Sequence, residues 1–316
     1  MALTYTEANA VSSAYYDKTI TQQIYEKCPL YGKLKSIGNI KPDGGETIRW
    51  PIRYARLDKA EFINPRQQVS FEQKETRTSA EANWKYLYGH GMISWDERVQ
   101  NTGKARIVNL MADKAEEMKD DMLYEFATKL WGASNTGTEI VALPTWVDSA
   151  ETAGGITVSD VAEWASTEDN ATTELVLYGS GSFSYMMNQA TFGPDKPDCA
   201  FTTRDLWSKF ESLIEPQKRY YTKDTAMGKI GFTGIEFHGC EIYSDVYATA
   251  AMLIAIDSKQ YSLVYHPQFN MKVGAWEKLK QAGYPYALVK DCAWVGDLTS
   301  RMRKTSFKYT VLDYTI

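Results

Sequence analysis

Residues 94–132 read SWDERVQNTGKARIVNLMADKAEEMKDDMLYEFATKLWG. Ser94 is an N-cap residue type, and Glu97 stands three positions on. At that spacing the hydroxyl and the carboxylate each satisfy the other's free backbone N–H. Asp96 and Glu97 place negative charge at the positive end of the helix dipole. Ile107, Met111, Ala115, Met118, Met122, Phe126 and Leu130 then recur every three or four residues, along one face of a helix. Gly132 occupies the place of a left-handed C-terminal cap. The stretch therefore reads as one amphipathic helix over residues 95–131, roughly 54 Å long at ~1.5 Å per residue. That is longer than a small domain is wide, so the helix is expected to serve as a beam. Glycine inside a helix costs about 1 kcal/mol. At Gly103 this predicts that the regular beam begins nearer Lys104, after a bendable lead-in.

Two alternating runs precede the helix, after the turn signal Lys41-Pro42-Asp43-Gly44-Gly45. In the first, Ile48, Trp50, Ile52 and Tyr54 share one face. Pro51 removes a ladder donor, which favours an edge strand. In the second, Thr78, Ala80, Ala82, Trp84, Tyr86 and Tyr88 share one face. The two runs flank about twenty residues of tip and read as a long two-stranded arm. An isolated ribbon is marginal in water, so such an arm needs something to lie on, within the subunit or on a neighbour.

Composition is ordinary for a globular chain of 316 residues, with 44% hydrophobic and 24% charged residues. Nine Trp and 21 Tyr suit surfaces packed on one side and wet on the other, and equally a β-rich core. Net charge is −5, which argues against a nucleic-acid reader with a basic surface. Residues 1–92 carry 13 basic and 10 acidic side chains, net +3; residues 133–300 carry 12 and 21, net −9. Residues 301–316 carry 4 and 1, net +3. Positive ends around an acidic middle favour contacts between copies, although a solvated surface gives the same counts. Cys28, Cys199, Cys240 and Cys292 are far apart and form neither a disulfide framework nor metal spacing. The start, MALTYTEANA, is no signal peptide, and no apolar run is long enough to span a membrane.

Along the rest of the chain, Ser13–Tyr25 is expected as a short helix broken at Cys28-Pro29. Short strands are expected at 175–178, 200–203, 235–243, 252–257 and 262–265, with helices over 182–189 and from Thr203 to about Glu215. The tail from Thr305 to Thr315 alternates again. No constellation for catalysis emerges, and no cofactor or metal is expected. His90, His238 and His266 have no second histidine at ligand spacing. The pattern Gly179-Ser180-Gly181 does not meet a nucleophile elbow. Gly228-Lys229 lacks the glycine-rich loop of a phosphate cradle. Glu116, Glu117, Asp120 and Asp121 read as the solvated or partner-facing side of the helix, and its methionines as core.

The order of pieces carries a resemblance. An arm opening with GGETIRWP is followed by the long helix, by CAFTTRDLWSKFESL, by GFTGIEFHGCEIYSD and by a final strand. This order resembles the major capsid proteins of tailed bacteriophages with the Hong Kong 97 coat fold, an α+β architecture, over roughly residues 5–315. The resemblance implies an N-terminal arm over 1–40 and an E-loop over 41–92 that reaches over a neighbouring subunit. It implies a peripheral domain over 93–180 with spine helix 95–131, and an axial domain over 181–300. A C-terminal strand over 301–316 would return to the peripheral sheet. It implies a homo-oligomer of hexamers and pentamers in an icosahedral shell. That shell would enclose double-stranded DNA without specific contacts, in a virion assembled in the host cytoplasm. Portal and decoration proteins are implied partners. With about 40 residues before the E-loop, a separate scaffolding protein or none is expected rather than a fused one.

Some members cross-link an E-loop lysine to an asparagine of a neighbour, and Lys59 matches the lysine. Residues 271–316 contain no asparagine, so no cross-link is expected. The residues expected at inter-subunit contacts are Trp50, Arg53, Arg56, Lys59, Trp84 and Tyr86 on the arm, and Arg301, Arg303 and Lys304 near the tail. For the tryptophans, burial within the subunit is the competing expectation. An encapsulin-like compartment uses a related fold and remains an alternative. An enzyme with an acidic cleft and a surface binding module are readings from other classes.

Overall fold

The structure is a computed structural model that describes residues 28–58, 60, 62–66, 68, 74–100, 110–132, 137–214, 235–279 and 286–313. The chain begins there with helix α1 (Pro29–Ile37) and strand β1 (Ile40–Pro42). Pro29 opens this helix, because its missing N–H falls where a first-turn residue has no acceptor. The expected helix at 13–25 lies outside the described residues.

The two alternating runs belong to different sheets. Strands β2 (Ile48–Arg53) and β3 (Arg77–Ala82) pair antiparallel as a separate two-stranded hairpin, from Ile48 opposite Ala82 to Arg53 opposite Arg77. Pro51 lies opposite Ser79, where a two-stranded ribbon has only edges. The second run does not continue past Ala82 in that ribbon. It restarts as β4 (Lys85–Ile93), which pairs along its whole length with β13 (Leu288–Ser300).

Strand β13 is the axis of the first sheet. On one edge it takes β10 (Tyr261–Tyr265), β11 (Lys272–Val273) and β12 (Glu277–Lys278), and on the other β4; β1 extends β10 in parallel. After β4 come α2 (Trp95–Gln100) and α3 (Leu110–Leu130). The capping box forms as the spacing predicts: Ser94 N–H donates to Glu97 at 2.8 Å, and Glu97 N–H donates to the Ser94 hydroxyl at 3.3 Å. Residues 101–109, with Gly103, Lys104 and Ile107, lie outside the described residues. Met118, Met122, Phe126 and Leu130 are buried, the face that the periodicity predicts. Gly132 ends the helix through its N–H to Lys129 O at 3.2 Å and not through a left-handed turn, which corrects that expectation. Helix α3 crosses β4 where Gly89 and Gly91 leave room. A Cβ on Gly89 would come within 2.7 Å of Met122.

The second sheet runs β5 (Thr167–Asp169), β14 (Phe307–Tyr309), β9 (Leu253–Ile256), β6 (Cys199–Thr202), β8 (Cys240–Ser244) and β7 (Ile235–Phe237). Residues 175–178 form no strand. The last strand, β14, joins β5 and β9 in this second sheet. Both faces of this sheet are covered. Phe201, Ile254 and Ile256 pack toward Trp146 and α3, whereas Ala200, Leu253 and Ala255 pack toward α4 (Phe183–Gln189) and α5 (Arg204–Ile214). Burial on two faces explains why β6 and β9 read as continuous apolar runs without alternation. Among the described residues, no helix is long and apolar enough to cross a membrane.

Candidate inter-subunit surface

The base of the hairpin is fastened to the subunit. Trp50 is 9% exposed, and its indole N–H donates to Ser300 O at 3.0 Å. Its ring lies 6.2 Å from that of Trp146. The Glu81 N–H donates to Gly154 O at 2.9 Å. Gly154 has φ +63°, and a Cβ there would meet Ala80 and Trp146 at 3.3 Å, so the hairpin sits against bare backbone. Trp50 is thus a core residue, and the expectation of an inter-subunit role for it is corrected. Trp84 is half-buried, donates to Gly45 O at 2.9 Å and meets His266 edge-on at 5.6 Å.

The outer face of the hairpin is cationic and wet. Arg49 pairs with Glu81 at 3.3 Å. Arg53 and Arg77, both exposed, stand directly opposite each other, an arrangement of like charges that destabilises a ribbon unless an anion approaches. Arg56 is exposed and reaches Asp58 at 3.9 Å, and Lys74 reaches the same carboxylate at 2.6 Å. Lys59 lies outside the described residues.

The three tail cations have three different environments. Arg301 is exposed, and its N–H donates to Gln260 O at 2.9 Å. Lys304 is half-buried, pairs with Glu163 at 2.6 Å and lies 5.2 Å from the Phe192 ring centre. Arg303 is 0% exposed. Its guanidinium donates to the carbonyls of Trp146 at 2.7 Å and of Thr145, Asp148 and Glu151 at 3.1 Å each, over the Trp164 ring. Burial pulls this arginine below its usual range. Its role is to hold the 145–151 loop on which the hairpin base rests, so it is not an interface residue. A second buried cation near this loop, Lys308, pairs with Asp148 and, at 3.2 Å, with Glu168.

Tyr86, expected at an inter-subunit contact, is 74% exposed. The glycines of β4 turn toward α3, so Tyr86, Tyr88, His90 and Met92 point to the opposite side and are exposed. Trp95 and Tyr286, 5.0 Å apart, extend this apolar strip. The pattern Gly89-x-Gly91 was the signal that identifies the helix-facing side. The hairpin tip presents Leu57, Phe62 and Ile63 to solvent, residues that the sequence reading did not single out. Among the described residues, no group of three or more His, Cys, Asp or Glu is placed to hold a metal ion.

No family model matches the chain, and no curated protein matches it. Solved structures do. The capsid asymmetric unit of cyanophage A-1(L) aligns at TM-score 0.66 and 14% identity, over 94% of this chain and 97% of that one. The capsid of a native GTA particle aligns at TM-score 0.61 and 8% identity, over 97% and 99%. The SrpI encapsulin of Synechococcus elongatus aligns at TM-score 0.57 and 7% identity, over 100% and 98%. From end to end, this chain has the fold of the phage capsid and encapsulin shell proteins.

Proposed function

We propose that this chain is the major capsid protein of a tailed bacteriophage, a structural subunit and not an enzyme. In this reading it assembles in the host cytoplasm into hexamers and pentamers. Their closed icosahedral shell encloses double-stranded DNA in the virion. The observation that carries the proposal is the end-to-end likeness to capsid subunits, with coverage above nine-tenths on both chains. The arm supports it: a base locked into the subunit and a tip that leaves apolar groups in solvent. The net charge of −5 supports holding the genome by enclosure rather than by phosphate contacts. Each contact between copies can be modest, because closure repeats it around the symmetry axes. Portal, decoration and separate scaffolding proteins are the partners this reading implies, with no covalent cross-link between subunits. The full-length likeness to an encapsulin supports a second reading, a compartment that holds a protein cargo.

Negative-stain microscopy and light scattering of the purified chain test the first step. Closed shells are expected; a monomer at high concentration would end both readings. Particles from producing cells separate the two, since nuclease-resistant DNA is expected in a phage head and a folded protein cargo in a compartment. Covalent ladders on a denaturing gel would refute the absence of cross-linking.

A further inference from the structure

Lys308 lies on an inner strand of the second sheet, between two carboxylates. The parallel register of β14 and β5 places it beside Glu168, and on its other side stands the fully buried Ile254 of β9. The Lys308 side chain is 6% exposed, and those of Asp148 and Glu168 are 15% and 14% exposed. Its Nζ donates to Asp148 Oδ2 and, at 3.3 Å, to Pro144 O, and lies 3.2 Å from Glu168 Oε1. The other oxygen of Asp148 is held as well: Oδ1 accepts the N–H groups of Ala150 at 2.7 Å and of Glu151 at 2.9 Å. Glu168 is fixed from behind, because its Oε2 accepts the Ser149 hydroxyl at 2.7 Å and the Ser149 N–H at 3.3 Å. An amine against a carboxyl group, two N–H donors on the far oxygen and a second carboxylate within reach of the amine are the parts of an acyl-transfer site.

We propose that Lys308 Nζ and Asp148 Cγ join in an amide bond within one chain, with Glu168 moving the protons. Burial raises the Asp148 carboxyl, yet the hydrogen bonds from Lys308 and from the Ala150 and Glu151 N–H groups outweigh it and hold it below its usual range. The pair therefore starts as ammonium and carboxylate, and proton transfer is the demanding step. Glu168 takes a proton from the ammonium and passes it to Oδ2. The neutral amine attacks Cγ, and negative charge gathers on Oδ1, where the two N–H groups receive it. The Cγ–Oδ2 bond then breaks as Glu168 carries a second proton across. Oδ2 leaves as water with two of the three ammonium protons, and the amide keeps the third. The step needs no oxidant and no co-reactant. The bond spans 160 positions of sequence and fastens the 145–151 loop, on which the hairpin base rests, to the last strand. Because it lies within one chain, it leaves no ladder on a denaturing gel, and it stands independently of the shell reading.

Intact-mass spectrometry of the full chain tests this directly. The parent is expected to weigh one water less than its sequence, and digestion is expected to release a branched peptide that joins residues 148 and 308. Lys308→Arg keeps a cation but has no nucleophilic amine, and Glu168→Gln keeps the shape of the side chain but cannot carry a proton. Both variants are expected at the full sequence mass. A parent that stays at the full sequence mass after days of incubation would overturn the bond, and this measurement needs no variant to fold. A loss of water that persists in Lys308→Arg would overturn it too, by placing the loss elsewhere in the chain. A loss that persists in Glu168→Gln would overturn the role of Glu168. Shell closure enters none of these readouts, so their failure leaves the shell reading standing.

Discussion

At the base of the hairpin, Ile48, Trp50, Ile52 and Ala80 are buried against Trp146 and Gly154; at its tip, Leu57, Phe62 and Ile63 stand in solvent. Both ends are apolar, and local sequence does not distinguish them. The base finds its partners within the subunit, in a loop nearly a hundred residues later. Among the described residues the tip has no comparable cover. An apolar residue on a ribbon therefore marks a contact without saying whether the partner is the same chain or another.

The largest break in this comparison comes from beneath the base. Arg303→Ala removes the donors to four carbonyls of residues 145–151. A buried acceptor left without a donor costs about 1–3 kcal/mol. The expected loss is on the order of 5 kcal/mol, a large part of the 5–15 kcal/mol typical of a domain. The chain should be recovered largely unfolded, and Arg303→Lys should not rescue it, because one ammonium cannot span the four oxygens. A urea midpoint close to the parent's would show that the loop does not depend on this cation.

Trp50→Ala acts one layer up. It deletes a buried indole and its hydrogen bond to Ser300, with an expected cost of about 3–5 kcal/mol. The comparison predicts that the hairpin base loosens before the rest of the fold. Amide exchange should speed up in residues 48–53 and 77–82 more than in β13. Uniform acceleration would mean that the base is not a separate unit.

What was legible in the sequence follows from which forces are local. The capping box at Ser94 and Glu97 and the buried face of α3 were legible, because both are set by spacing within one helix. The hairpin was legible from its turn residues and strict alternation. The 13-residue strand Leu288–Ser300, which organises the first sheet, was not recognised. Its C-terminal half is buried at every position, including Gly296 and Asp297, so no period of two appears. Arg301, Arg303 and Lys304 were read together as inter-subunit contacts near the tail. Nothing local tells Arg303 apart, because its ligands are carbonyls more than 150 positions away. Trp50 shows the same limit: alternation pairs residues on a face, but only the packing against Gly154 says that this face is inside.

Asp297 sharpens the comparison from the buried side. It is fully buried on β13, accepts from Val141 N–H at 2.9 Å and Leu298 N–H at 2.8 Å, and burial pushes its carboxyl up to about 7. An unfolded aspartate titrates near ~3.9. Between these values the unfolded chain has released this proton and the folded chain has kept it, so stability falls as pH rises from about 4 to about 7. Asp257, raised to about 6 by burial, adds to the same slope. Asp148, lowered with the help of Lys308, contributes stability that is lost at lower pH instead. Asp297→Asn keeps an acceptor and removes the titration. Its melting temperature should decline less than the parent's between pH 4 and 7, and parallel curves would place the slope elsewhere.

The smallest expected effect is at the tip, and it is the most direct test of the contrast. Ile63 is exposed beside Phe62. Ile63→Ser should change monomer stability by less than about 0.5 kcal/mol, as expected for an exposed surface side chain. The same change of residue type at Ile52, four positions from Arg56 but inside the base, buries a hydroxyl and opens a cavity, and should cost several-fold more. If Ile63→Ser were as destabilising as Ile52→Ser, the tip would be folded against its own subunit in solution. The division of the hairpin into an internal base and an outward tip would then be wrong. If the monomer is indifferent to Ile63→Ser while assembly weakens, the tip's apolar groups are accounted for only by a neighbouring chain.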